Sequence, residues 1–336
     1  MKQTYEKIIL AAPKMLFLDI TSECQCRCWY CYNNAGELTG CELTHNKIEK
    51  IICDFAELGG EEVRFTGGEP TLHPNLPRFI ELAARLGLRI ILVSNGMAND
   101  DILEYLCRSP VSAFYLSLQG DEKTHDGMRG AGSFAWCTRT AKMLINAGKK
   151  VRLSMVFHNE NYECVDFVAG FAANIGASVS FNPLRPVGRA TAGKMLTATE
   201  HRALVKNILR QRDKYPNIRI DTPWDFLLAP QTHNKNANEQ KRIGCGNTGL
   251  NITSAGKCFT CGQLSQYPGF CVGNIRNESI KTIWRRAQKK CPLAMATPEK
   301  CLGCEYLHDS PCFGGCAVTA LIVKGSMQAT DPYCFV

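Results

Sequence analysis

Between residues 15 and 182 the chain alternates six times between a short β-branched or apolar run and a helix-patterned stretch. That alternation leaves little choice of fold. The runs are 15–21 (MLFLDIT), 62–66 (EVRFT), 89–94 (RIILVS), 113–118 (AFYLSL), 151–157 (VRLSMVF) and 178–182 (SVSFN). Between them, Ile48, Ile51, Ile52 and Phe55 share one helical face with Thr44 as its N-cap. Leu76, Phe79, Ile80 and Leu82 open a second face that ends at Leu86 and Gly87. Phe167, Val168, Phe171 and Ile175 form another, ending at Gly176. Strands alternating with helices mean βαβ units and a parallel sheet. Six units in roughly 170 residues correspond to six of the eight in a full barrel, so the expected fold is α/β, a partial (β/α)6 TIM-like barrel.

In such a sheet the residues that follow the strands face one shared cavity at the carboxyl ends. Here they are Cys24–Cys31, Gly67–Pro70, Ser94 and Asn95, Ser117 and Gln119, and Asn182 and Arg185, while Ser154 points inward from within its strand. Beyond about residue 190 the pattern changes. LTATEHRALVKNILRQRDKYP predicts one amphipathic helix, and the polar loop QTHNKNANEQKR leads into a cysteine-rich end. The expected division is a barrel over 1–190, a helical linker over 191–240 and a cysteine-rich domain over 241–336.

The chain of 336 residues holds 19 cysteines, four of them within 24–31 and ten between 245 and 334. An odd count in a chain of this length, with Pro13 and Lys14 interrupting the apolar N-terminus, argues against a secreted disulfide scaffold. The reading is a reducing, cytoplasmic compartment with cysteines committed to metal. No apolar run is long enough to span a bilayer. A net charge of +8 spread along the chain is no nucleic-acid footprint.

Cys24, Cys28 and Cys31 form a C-x3-C-x2-C run, CQCRCWYC. Three thiolates at this spacing can hold three irons of a 4Fe–4S cube and leave the fourth open to a cofactor or substrate. Zinc is the alternative, but it wants four ligands, and Cys26 is awkwardly placed as the fourth. FTGGEP at 65–70 supplies two glycines, Gly67 and Gly68, for a sharp turn and close backbone approach, and Glu69 as a carboxylate near the strand end.

CQCRCWYC followed by TGGEP resembles the radical S-adenosylmethionine (radical SAM) superfamily, and Tyr30 before the last cysteine fits the same pattern. The resemblance implies that the methionine amine and carboxylate of S-adenosylmethionine chelate the open iron, with the GGEP backbone and Glu69 holding the amine. Reductive cleavage then gives a 5′-deoxyadenosyl radical that takes a hydrogen atom from substrate. SNG at 94–96, SLQG at 117–120 and THDGMRG at 124–130 are similar to family segments near the nucleoside. The implied cofactor contacts are therefore Tyr30, Gly67, Gly68, Glu69, Ser94, Asn95, Ser117 and Ser154. Gln119 stands where the family often has aspartate.

Cys245-x10-Gly256-x4-Cys261, GNIRNESIKTIW, Cys301-x2-Cys304-x7-Cys312-x3-Cys316 and Cys334 resemble the SPASM extension of that superfamily. It binds two auxiliary iron–sulfur clusters, expected as 4Fe–4S. By resemblance Cys301, Cys304, Cys312 and Cys334 serve one, and Cys245, Cys261 and Cys316 the other. Cys258 and Cys271 are candidates for its fourth ligand, or the site is open. Zinc knuckles are the alternative for this region. Cys53, Cys107, Cys137 and Cys164 read as small buried hydrophobes. His73 and His125 read as structural, and Trp224 as core.

SPASM enzymes modify ribosomal peptides by crosslinking, epimerisation or oxidation, or act on small molecules such as aminocyclitols and sugars. The first reading is a ribosomal peptide substrate, the second a small molecule. A third, from another class, is a non-enzymatic metal-binding or electron-transfer protein. Only fourteen residues precede the first strand, so a leader peptide would need a separate recognition protein. The electron donor expected is of flavodoxin or ferredoxin type. Gly262 replaces the aspartate base expected of sulfatase-maturing relatives, and no other general base is evident. Epimerisation would instead need a hydrogen-atom donor, for which Cys258 and Cys271 are the candidates.

Overall fold

A computed structural model describes residues 10–223, 246–290, 298–304, 306, 312 and 314–336. Cys245, Cys291 and Trp224 lie outside the described residues. All six expected strands form: β1 (Met15–Thr21), β2 (Glu62–Gly67), β3 (Arg89–Ser94), β4 (Ala113–Ser117), β5 (Val151–Phe157) and β6 (Ser178–Pro183). They pair in chain order, every pair parallel. β5 alternates strictly between buried and half-buried positions. One face of the sheet packs on helices and the other lines a lumen, so the strand period of two becomes an inside and an outside.

Seven helices accompany this sheet: α1 (His45–Glu57), α2 (Leu76–Arg85), α3 (Asp100–Arg108), α4 (Glu122–Arg129), α5 (Ser133–Asn146), α6 (Val165–Ile175) and α7 (Ala198–Lys214). α1 buries the four residues expected, and the Thr44 side chain accepts from Lys47 N. α2 buries Ala83 in place of Leu82. α6 departs further. It buries Val165, Val168, Ala169 and Ala172, while Phe167 is exposed and stacks on Phe171. Two alanines on the inner face let the helix lie close to the sheet, while Phe167 turns outward and Phe171 is half-buried at the edge of the core. α7 spans the expected amphipathic stretch, opened by a capping box between Thr197 and Glu200.

The main difference from expectation lies in how the parts join. β7 (Ile220–Asp221), within the stretch read as a linker, pairs parallel with β6. β8 (Gly249–Ile252), in the cysteine-rich region, pairs parallel with β1, and β9 (Lys257–Phe259) and β10 (Gly273–Asn274) continue antiparallel from it. The result is one ten-stranded sheet of order β10-β9-β8-β1-β2-β3-β4-β5-β6-β7, a partial rather than closed barrel. Two more helices, α8 (Ile280–Lys290) and α9 (Ala317–Lys324), belong to the cysteine-rich end. Trp284 of α8 is buried and donates through Nε1 to Leu10 O at 2.8 Å, tying the two ends of the chain together. Among the described residues no helix is long and apolar enough to cross a membrane.

Candidate active site

The cysteine loop leaves β1 at its carboxyl end and is locked from three sides. Cys24 N donates to Gly36 O at 2.8 Å and Gly36 N to Ser22 O at 2.9 Å, closing the loop on itself. Gly68 N donates to Thr21 O at 2.8 Å and Glu69 N to Glu23 O at 2.7 Å, so the TGGEP segment continues the β2–β1 pairing onto the loop. This close pairing requires glycine: a Cβ on Gly68 would fall on the Glu23 carbonyl, and Gly67 has φ +120°. From beyond β6, Arg189 donates through Nε to Cys28 O at 2.8 Å and through Nη1 to Ala35 O at 2.9 Å.

Glu69 is fully buried. Its Oε1 accepts from Thr71 N (3.1 Å), Thr71 Oγ1 (2.8 Å) and Ser94 Oγ (2.8 Å), and its Oε2 accepts from Asn95 N (2.6 Å). Burial raises its pKa, and these donors pull it back. The carboxylate thus ties the β2 and β3 ends together. It aims Asn95, whose Nδ2 lies 3.8 Å from Cys24 Sγ and 3.6 Å from Cys26 Sγ. Ser94 therefore meets Glu69, and Asn95 meets both Glu69 and the cysteines.

Cys26 stands between two of the motif cysteines. Its thiol, bonded to both neighbours, lowers the pKa of Cys24 to about 7 and of Cys28 to about 6, and is itself pushed far up. The groups around Cys28 include Tyr30 and Arg129, and Arg129 Nη1 donates to the Tyr30 hydroxyl at 3.0 Å. Arg129 Nε is buried without a hydrogen-bond partner. Burial alone would lower this guanidinium's pKa; Tyr30, Cys28 and Cys26 together raise it. Arg129 lies in the THDGMRG segment, whose sequence alone assigns it no role.

Ser117, Ser154 and Ser180 stand side by side in register across β4, β5 and β6. Asn182 Nδ2 lies 3.3 Å from Ser154 Oγ and from Ser180 Oγ. Gln119 is buried. It donates through Nε2 to Ser154 O (3.3 Å) and accepts through Oε1 from Val156 N (2.9 Å), bridging to β5 with both ends of its amide. An aspartate could not donate, which accounts for glutamine here. His125 and His158 are lowered by burial to about 3 and about 4, and are neutral packing residues at pH 7.

At the cysteine-rich end, Cys301, Cys304, Cys312 and Cys334 lie within electrostatic reach of one another: burial first, then Cys312, Cys334 and Cys304, raises the pKa of Cys301 to about 11. Cys261 and Cys316 meet on another group. Arg185, desolvated at the mouth of the barrel, hydrogen-bonds to Cys316 and feels Cys261 and Asp331. Asp331 Oδ2 accepts from Cys316 N at 2.6 Å, and Cys334 N donates to Asp331 O at 3.0 Å, so one buried residue orders a cysteine of each set. Cys258 is placed apart. It is fully buried in the core, donates to Gly256 O at 3.6 Å, and is raised by burial to about 12. Cys271 is exposed, with its thiol on Gly273 O at 3.2 Å.

The donor sets fit iron–sulfur clusters. A buried guanidinium with an unpartnered Nε beside Cys28 calls for negative charge, and so does Arg185 beside Cys316 and Cys261. Among the described residues no three ligand-type side chains converge on a point for one ion. A cube binds each thiolate at a different iron and needs no such convergence.

Comparison with known proteins agrees with this arrangement. Residues 18–172 match the radical SAM superfamily and residues 245–305 match an iron-sulfur cluster-binding domain, SPASM. The chain is 26% identical over 345 residues to an AdoMet-dependent heme synthase of Methanosarcina barkeri, covering 96% of each chain. It is 25% identical over 333 residues to a PqqA peptide cyclase of Rhizobium meliloti, covering 96% of this chain and 87% of that one. In fold it is similar to Streptococcus suis SuiB, solved with precursor peptide SuiA, at TM-score 0.79 and 21% identity over 96% of this chain and 76% of that one.

Proposed function

The chain is a radical SAM enzyme with a C-terminal SPASM domain, and from that premise we propose that it oxidatively modifies a ribosomally made peptide. The observation that carries the radical chemistry is the locking of Gly68 and Glu69 onto the cysteine loop. It holds the TGGEP backbone against the loop that carries Cys24, Cys28 and Cys31, which would hold the 4Fe–4S cluster. Bound there, cluster and S-adenosylmethionine supply a 5′-deoxyadenosyl radical that takes a hydrogen atom from substrate.

The protein's own residues bind and orient. The Gly67–Gly68 backbone would hold the cofactor's ammonium, and Arg129 would supply a cation for its carboxylate. Glu69 serves as a positioning residue through Asn95 and Ser94. Ser117 and Ser154 line the wall toward the nucleoside. Cys301, Cys304, Cys312 and Cys334 hold one auxiliary cluster, and Cys261 and Cys316, with Cys245, the other. A flavodoxin- or ferredoxin-type protein delivers the electron, and a separate protein presents the leader of the peptide.

The peptide reading is supported by the full-length similarity to a PqqA peptide cyclase. The similarity to a heme synthase over nearly the whole of both chains favours a second reading, a small-molecule substrate. Incubation of the anaerobically reconstituted enzyme with precursor peptides encoded beside its gene separates the two. A peptide that loses two mass units is expected. Turnover of a small molecule, with every neighbouring peptide unchanged, would replace the first reading by the second.

A further inference from the structure

The lumen face of β1 reads Met15, Phe17, Asp19, and Asp19 is the one carboxylate that β1 carries. It is half-buried and faces the lumen beside Thr66 of β2. Its Oδ2 accepts from Asn33 Nδ2 at 3.1 Å; among the described residues this is its one hydrogen-bond donor, and no lysine or arginine pairs with it. The nearest guanidinium on the neighbouring strand, Arg64, lies over the Phe17 ring at 4.8 Å.

Two further contacts locate this carboxylate. A Cβ on Gly67 would come within 3.2 Å of Asp19 Cα and Cβ, so Asp19 abuts the first glycine of the cofactor turn. Tyr32, hydrogen-bonded to the Thr66 side chain, feels both Asp19 and Cys261. A Cβ on Gly262 would lie 3.6 Å from that Tyr32 ring. Position 262, which has no side chain, and Asp19 therefore both lie beside Tyr32, one from the SPASM region and one from β1.

We infer that Asp19 is the proton acceptor of the reaction, acting from the barrel wall on a substrate whose reacting carbon bears or approaches an N–H, O–H or S–H group. The inference rests on the radical reading above. Hydrogen-atom loss leaves a carbon radical, and 5′-deoxyadenosine carries that hydrogen away. The Asp19 carboxylate takes the proton from the heteroatom as it joins the carbon by a new or second bond. The remaining electron passes to an auxiliary iron–sulfur cluster as oxidant. Substrate thus loses one hydrogen atom, one proton and one electron, two mass units in all. Burial raises the Asp19 pKa to about 7, with Asn33 opposing and Glu42 assisting, which suits a base at neutral pH.

The test compares reconstituted wild type, Asp19→Asn and Asp19→Glu with the peptide that wild type converts. Asp19→Asn is expected to keep its iron and to form 5′-deoxyadenosine, while product falls by about 100-fold or more. Asp19→Glu is expected to restore part of the product. A second readout needs no turnover. A desolvated carboxylate without a cation is a burden on the fold, so the denaturation midpoint of Asp19→Asn should exceed that of wild type at pH 8 and approach it at pH 4. Asp19→Asn making product within about threefold of wild type, or less stable than wild type at pH 8, would overturn the assignment. If wild type itself forms no 5′-deoxyadenosine, the parent reading falls and takes the inference with it.

Discussion

At the scale of single residues, the site is held by polar groups with few alternatives. Glu69 receives four hydrogen bonds, two of them from backbone N–H groups. Glu69→Gln offers a second set of donors to a cavity already full of donors. It should cost about 1–3 kcal/mol in chemical denaturation and loosen Asn95 from the cysteines. For Asp19 the sign of the pH effect follows from its raised pKa. Between the unfolded value of 3.8 and the folded value of about 7 the native chain holds a proton that the unfolded chain has released, so stability falls as pH rises through that window. Sequence alone pointed to the motif cysteines, Glu69 and the strand-end serines. It passed over Asp19, Arg129 and Asp331. Asp19 carried a readable signal, a carboxylate in MLFLDIT at a position that alternation turns to the lumen. Arg129 carried one too, within a segment already singled out. Asp331 had none, because its role comes from contacts with Cys316 and Cys334 that no local pattern announces.

At the scale of elements, local periodicity served well where one face is large and apolar, as in α1. It served less well on α6, where Phe167 is exposed and Phe171 only half-buried while two alanines lie inside. Hydrophobicity ranks the phenylalanines first, but close helix–sheet packing selects for small size. The TGGEP turn is the element with the least tolerance. Gly68→Ala places a methyl on the Glu23 carbonyl. The variant should lose the iron held by Cys24, Cys28 and Cys31 together with cofactor cleavage, while iron bound at the C-terminal cysteines remains. Iron analysis alongside an assay for 5′-deoxyadenosine reads both, and a Gly68→Ala chain with wild-type cleavage would show that the pairing is dispensable.

At the scale of the whole molecule, the cysteine-rich end is continuous with the barrel sheet through β8 on β1. That join was not legible in the sequence. β8 is four residues long and lies more than 230 residues from its partner, and β7 has only two residues. Strands so short leave no periodic trace, and their pairing is set by tertiary packing. The consequence is mechanical: Cys261 follows directly from strands that grow out of β1, the strand that also leads into Cys24. Replacing Cys312 with alanine should therefore remove iron from the far cluster and abolish product while 5′-deoxyadenosine is still formed; unchanged iron content would refute its role as a ligand.

The central claim is that the loop of Cys24, Cys28 and Cys31, locked to Gly68 and Glu69, is a radical generator. The most direct test is the yield of 5′-deoxyadenosine from S-adenosylmethionine by the anaerobically reconstituted, reduced enzyme, beside a chain with Cys24, Cys28 and Cys31 all changed to alanine. The account predicts cleavage by the wild type and none by the triple variant, with most of the C-terminal iron retained. Equal cleavage by both, or none by a wild-type chain loaded with iron, would contradict it.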